Sequence, residues 1–143
     1  MANQQKISGT MHVTLWAVQI VLAALLLAGA IMKFMPIEKI SEMMPWTGQV
    51  PVWMVRLLGI IDLSGAAGLV LPGLLRIKPQ LTYWAASGIM ALMLCAIIFH
   101  VSRGESAVIG FNVFCGALAG FVGWGRFKKG KDYHVQIKKT GSN

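Results

Sequence analysis

Four apolar runs, each close to the length needed to cross a bilayer, dominate this sequence and leave it few folds. About 20 helical residues span roughly 30 Å of hydrocarbon, and breakers should separate one crossing from the next. The first run extends from about His12 to Phe34 and is closed by Pro36; the second extends from about Pro51 to Leu71 and is closed by Pro72-Gly73. The third begins after Pro79 and ends near His100, and the fourth extends from about Ala107 to Trp124. Each is apolar all round, whereas a helix on the surface of a soluble domain would show one polar face. Of 143 residues 56% are hydrophobic and 13% charged, about half the charged share of a soluble domain, and the mean hydropathy is +0.65. That apolar content excludes disorder, and two cysteines exclude a disulfide scaffold. The expected fold is all-α: an integral membrane four-helix bundle with helices at about 12–34, 51–71, 80–100 and 107–124 in a domain of residues 1–126, followed by a basic cytoplasmic tail of residues 127–143.

The connections at 35–50, 72–80 and 101–106 contain Pro, Gly and charge. They should lie at or beyond the interfaces, because hydrocarbon offers irregular backbone no hydrogen-bond partner. The formal net charge of +8 could suggest nucleic acid, but the basic residues stand at the ends of the apolar runs, six of 13 after residue 125. That placement fits a membrane surface and argues against nucleic acid. Lys6, Arg76, Lys78, Arg126, Lys128, Lys129, Lys131, Lys138 and Lys139 fall on one side. Lys33, Lys39 and Arg103 fall on the other, diluted by Glu38, Glu42 and Glu105. Nine basic residues against three place both termini in the cytoplasm by the positive-inside rule. Ala28-Gly29-Ala30 resembles a signal-peptidase site, but the run before it is long for a signal peptide, so a retained first span is expected. The tail reads as a topology anchor, the alternative being that it lies mobile on anionic headgroups.

Lipid is as apolar as leucine, so the helices must associate through close packing of small residues and through polar contacts. The second span carries Gly59 and Ser64-Gly65-Ala66-Ala67-Gly68; the fourth carries Gly116, Gly120 and Gly123, the first two at GxxxG spacing. Packing within the chain is the favoured use of these stripes, and a homodimer the alternative. Trp16, Trp46, Trp53, Trp84 and Trp124 fall near the span ends, as interfacial belts do.

Ionisable residues inside a span are costly and need a partner or a task. Arg56 and Asp62 both lie in the second span, Asp62 about 16 Å along it from Pro51. Six residues apart, they are turned about 120° from each other and make poor partners within one helix, so at least one must look elsewhere in the bundle. Antiparallel threading brings Lys33, Arg56, Asp62, His100 and Asn112, from four helices, into the half of the membrane opposite the termini. These five residues are the candidate ligand-binding set. Cations there could hold an anion or carbonyl oxygen, and the carboxylate and imidazole could pass protons. The alternative is that Lys33 and His100 snorkel to the interface while Arg56 and Asp62 pair through the bundle. Cys95 and Cys115 read as inert buried thiols. No catalytic residue is assigned, and no spacing suits a metal, haem, phosphate loop or catalytic triad.

Ala28-Gly29 followed by Lys33-Phe34, Pro45-Trp46, Arg56-Leu57-Leu58-Gly59, the run Leu63 to Leu69 ending at Pro72, His100, Asn112 and Gly125-Arg126 together resemble the DoxX-like family. The resemblance covers about residues 12–127 and departs from the usual pattern at Asp62, where members carry Glu. It implies a four-span protein of the bacterial inner (cytoplasmic) membrane, with members linked to redox or thiol homeostasis and a namesake in a thiosulfate:quinone oxidoreductase. The first functional expectation is a quinone-linked redox subunit, with quinone as cofactor and a redox partner supplying electrons. The alternative is a non-catalytic lipid or small-molecule binding protein, or an assembly factor for a client membrane protein.

Overall fold

The computed structural model describes residues 9–78 and 80–140, with the side chains of 130–137 and 139–140 outside that description. The first apolar run, rich in Leu and Ala, coils into α1 (Gly9–Phe34) and stops ahead of Pro36, whose ring disfavours a helical residue before it. Pro36 then opens a short α2 (Ile37–Met43), and Pro45 opens a 3-10 turn (Pro45–Gly48). The remaining helices are α3 (Val52–Leu74), α4 (Gln80–Ser102) and α5 (Ser106–Thr140). Four stretches, Gly9–Phe34, Val52–Leu74, Gln80–Ser102 and Ser106–Lys129, are long and apolar enough to cross a membrane. No strand occurs among the described residues.

The long helices form a ring: α1 packs on α3, α3 on α4, α4 on α5, and α5 back on α1. Short connections make consecutive members antiparallel. At what we call the loop end, α1 and α4 finish, α3 and α5 begin, and α2 with its turn folds over the bundle, burying Ile40, Trp46 and Thr47. The opposite, tail end carries the start of α1 and the later turns of α5.

Each span buries one stripe at spacings of three and four, with one step of seven in α4. It comprises Leu15, Gln19, Leu22, Leu26 and Ala30 on α1 and Val55, Gly59, Asp62, Ala66, Leu69 and Pro72 on α3. On α4 it comprises Thr82, Ala86, Ile89, Met93 and His100, and on α5 Asn112, Cys115, Ala119, Val122 and Arg126. These stripes close on a core of Leu22, Leu26, Leu69, Ile89 and Val122. Outward positions such as Val13, Ile60, Leu94, Ile98 and Val113 are exposed and apolar, the surface that lipid requires. Gly116 and Gly120 face Met93 and Met90 of α4, so the GxxxG spacing is used inside the chain. Gly68 meets Ala85 so closely that an added Cβ would lie 2.8 Å from its methyl carbon.

Pro72 does not end its helix as the sequence suggests; it lies inside α3, which continues to Leu74. Proline has no N–H for the carbonyl four residues earlier and crowds it, so a neighbouring helix must repair the backbone locally. That carbonyl belongs to Gly68, and the polar neighbour beside it is Gln19 of α1, which donates from Nε2 to the adjacent Leu69 carbonyl at 2.5 Å. The helix terminates instead at Arg76, whose φ of +53° lets Ile77 donate to the Pro72 carbonyl at 3.1 Å, a Schellman closure. Trp53, Trp84 and Trp124 are exposed near span ends, whereas Trp46 is buried under the loop end.

Candidate functional site

Lys33 and Asp62 meet across α1 and α3. The ammonium donates to Asp62 Oδ2 at 2.6 Å, with the two side chains 14% and 7% exposed. Gly29, one turn back from Lys33, leaves room beside them: a Cβ there would lie 3.5 Å from both Asp62 Oδ2 and Lys33 Nζ. Arg56 is not the partner of Asp62. Its guanidinium reaches the end of α1, donating from Nη1 to the Lys33 carbonyl and, at 2.9 Å, to the Met35 carbonyl. The last carbonyls of a helix have no intrahelical donor and carry its negative dipole end, so a cation suits them. The 120° separation of Arg56 and Asp62 thus sends each to a different target.

His100 is buried at the end of α4 and its Nδ1–H donates to Glu105 Oε2 at 2.6 Å. Gly104 makes this approach feasible. Its φ of +70° turns the chain back, and Glu105 N–H donates to the His100 carbonyl at 3.0 Å. Arg103 donates to Glu105 Oε1 at 3.0 Å and also to Gln49 Oε1, tying the α4–α5 turn to the other loop. Trp46 stands edge-on to His100 with ring centres 6.0 Å apart.

The hydrogen bond from His100, helped by Arg103, holds the Glu105 carboxyl below its ordinary value of 4.5. A carboxyl depressed in the folded state adds stability above its unfolded value and loses it as pH falls through the folded one. The loop end should therefore weaken once pH drops below about 4.5, and Glu105→Gln should flatten that acid limb in a melting series from about pH 6 to pH 3.

Asn112 is buried on the inward stripe of α5, and its Nδ2 is the sole buried side-chain N or O atom without a hydrogen-bond partner among the described residues. Cys115, one turn further, is buried and lies close enough to Asp62 to interact electrostatically, whereas Cys95 is exposed. Both thiols are free. A cleft of about 370 Å³ opens at the loop end between Met43, Met44, Trp46, Glu105 and Val108. Of the five candidate residues, Lys33 and Asp62 are paired, Arg56 holds the backbone beside them, His100 is engaged with Glu105, and Asn112 keeps a free donor. None of the five lines the cleft; Trp46 and Glu105, which touch His100, do.

A second buried polar group sits at the tail end, where the sequence suggested only orientation charge. Arg126 is 8% exposed. It donates from Nε to Gln19 Oε1 at 2.8 Å and from Nη2 to the same oxygen, and its guanidinium lies 5.6 Å from the Trp16 ring centre. Gln19 is thus a bridge, accepting hydrogen bonds from α5 and donating one to α3. The signal available in the sequence is spacing: Arg126 is two heptads beyond Asn112, on the same face. Among the described residues, no group of three His, Cys, Asp or Glu side chains could hold a metal ion.

The family model described as the DoxX-like family matches residues 17–122. The chain belongs to the DoxX-like family. No curated protein and no solved structure matches the chain significantly. In this DoxX-like protein the matched stretch contains Lys33, Arg56, Asp62, His100 and Asn112 as well as Gln19. It stops before Arg126, so one half of the tail-end contact lies within the family match and the other beyond it.

Proposed function

We propose that this DoxX-like protein is the membrane subunit of a quinone-linked redox system, with both termini in the cytoplasm and the loop end receiving a quinone headgroup. The observation that carries the reading is the spare Asn112 donor. An amide N–H buried without an acceptor costs about 1–3 kcal/mol, and a ligand carbonyl would remove that cost. Lys33 stands in the same half of the bundle as a cation for a second oxygen. The hydrogen-bonded His100 and Glu105, beside the Trp46 cleft, are a route for protons. A bound quinone would supply electron and proton carrying capacity, and a partner protein the electrons; this chain binds, orients and moves protons.

The alternative, a non-catalytic binding protein or assembly factor, is favoured by the closed Lys33–Asp62 pair, which already satisfies both charges. Titration of the detergent-purified protein with decylubiquinone, read by tryptophan quenching, separates the two. Asn112→Leu should raise thermal stability by about 1 kcal/mol, because an orphaned donor is gone, and weaken quinone binding about tenfold or more. Unchanged binding in a folded Asn112→Leu variant would remove the quinone reading and leave the non-catalytic one.

A further inference from the structure

We propose that the tail end of the seam between α1 and α5 binds the phosphate of an anionic phospholipid. Three basic side chains gather there. Arg126 is buried against Gln19 and Trp16, and Lys129, one turn on along the same face of α5, donates to His12 Nδ1 of α1 at 3.0 Å. Two of the guanidinium N–H groups go to Gln19 Oε1, and among the described residues no carboxylate pairs with Arg126, Lys129 or His12. Glu38, Glu42, Asp62 and Glu105 all belong to the loop half, and the Asp132 side chain lies outside the described residues.

A guanidinium withdrawn from water without a counter-charge is an incomplete arrangement, and phosphate is the anion that a planar fork beside an ammonium recognises. A lipid source fits because the seam lies in the wall of a bundle whose outer surface is apolar: Val13 and Ile20 on α1 and Trp124 and Phe127 on α5 are exposed, Phe127 with its ring against Tyr83 of α4. Acyl chains can lie along them while the headgroup reaches the cations at the interface. Lys128 provides an internal contrast. It carries the same charge and is exposed as Lys129 is, but its ammonium stacks on Trp124 of its own helix, with Nζ 4.3 Å from the ring centre, where that of Lys129 reaches His12 of α1.

The test uses the full chain in neutral detergent, with native mass spectrometry and melting measured against phosphatidylglycerol, phosphatidylcholine and inorganic phosphate. Phosphatidylglycerol should be retained and should raise the melting temperature. Lys129→Gln should weaken retention about five-fold, while Lys128→Gln should change it less than two-fold. His12→Gln, which also leaves the buried Arg126 in place, serves as a second variant and should weaken retention as well. Equal losses in Lys128→Gln and Lys129→Gln would reduce the effect to general attraction by a basic tail and overturn the site. Equal stabilisation by phosphatidylcholine, or by inorganic phosphate at the same concentration, would overturn the lipid assignment.

Discussion

Asp62→Ala is expected to destabilise the bundle by about 3–5 kcal/mol, the cost of leaving a buried cation unpaired. Lys33 Nζ is 2.6 Å from Asp62 Oδ2 and little exposed, and it cannot snorkel freely while Arg56 holds its own carbonyl to α3. Removing both charges should cost far less than removing one. A Lys33→Met, Asp62→Leu double variant replaces the pair with apolar groups of similar size and should melt near or above the parent protein. Thermal melts of both single variants and the double variant in one detergent complete the cycle. If Asp62→Ala melts within about 1 kcal/mol of the parent, the pair does not hold α1 to α3.

Gln19→Leu should be nearly as damaging, at about 3 kcal/mol, because one amide serves two helices. The substitution removes the acceptor of two Arg126 N–H groups and the donor to the Leu69 carbonyl, next to the backbone that Pro72 leaves incomplete. Adding Arg126→Met should recover only the part due to the stranded cation, since the Leu69 carbonyl would still lack its donor. Circular dichroism melts of the single and double variants read this difference. A Gln19→Leu variant as stable as the parent would show that the bridge is dispensable.

The crossings were legible because hydrocarbon sets their length and tolerates few polar groups, so Pro36, Pro51 and the 101–106 turn stand out against apolar runs. Pro72 misled because a proline inside a membrane helix is tolerated where neighbouring helices support the backbone, and the polar neighbour there, Gln19 on the adjacent Leu69 carbonyl, is 53 positions away. The spacing of Arg56 and Asp62 correctly implied separate partners, but which partners depends on how each helix is rotated. A helix that is apolar all round carries little information about rotation. Arg126 was harder still. A basic residue at the end of an apolar run has the same appearance whether it faces headgroups or turns inward to an amide, and only the heptad step from Asn112 distinguishes the two. His100 and Glu105 were placed at the correct end, but their hydrogen bond rests on the positive φ of Gly104, a matter of local geometry.

The polar contacts of Lys33 and Gln19 on α1 also bear on biogenesis. Lys33 finds its counter-ion as soon as the next long helix is made, but Gln19 meets Arg126 only after α5 has been synthesised. A nascent first hairpin therefore already has a polar contact at each end, Lys33 with Asp62 and Gln19 with the Leu69 carbonyl, and only the Gln19 oxygen is left for a later helix. The last crossing completes the bridge by bringing the Arg126 guanidinium to that oxygen, so a chain cut short before α5 leaves the Gln19 acceptor unused at the tail end.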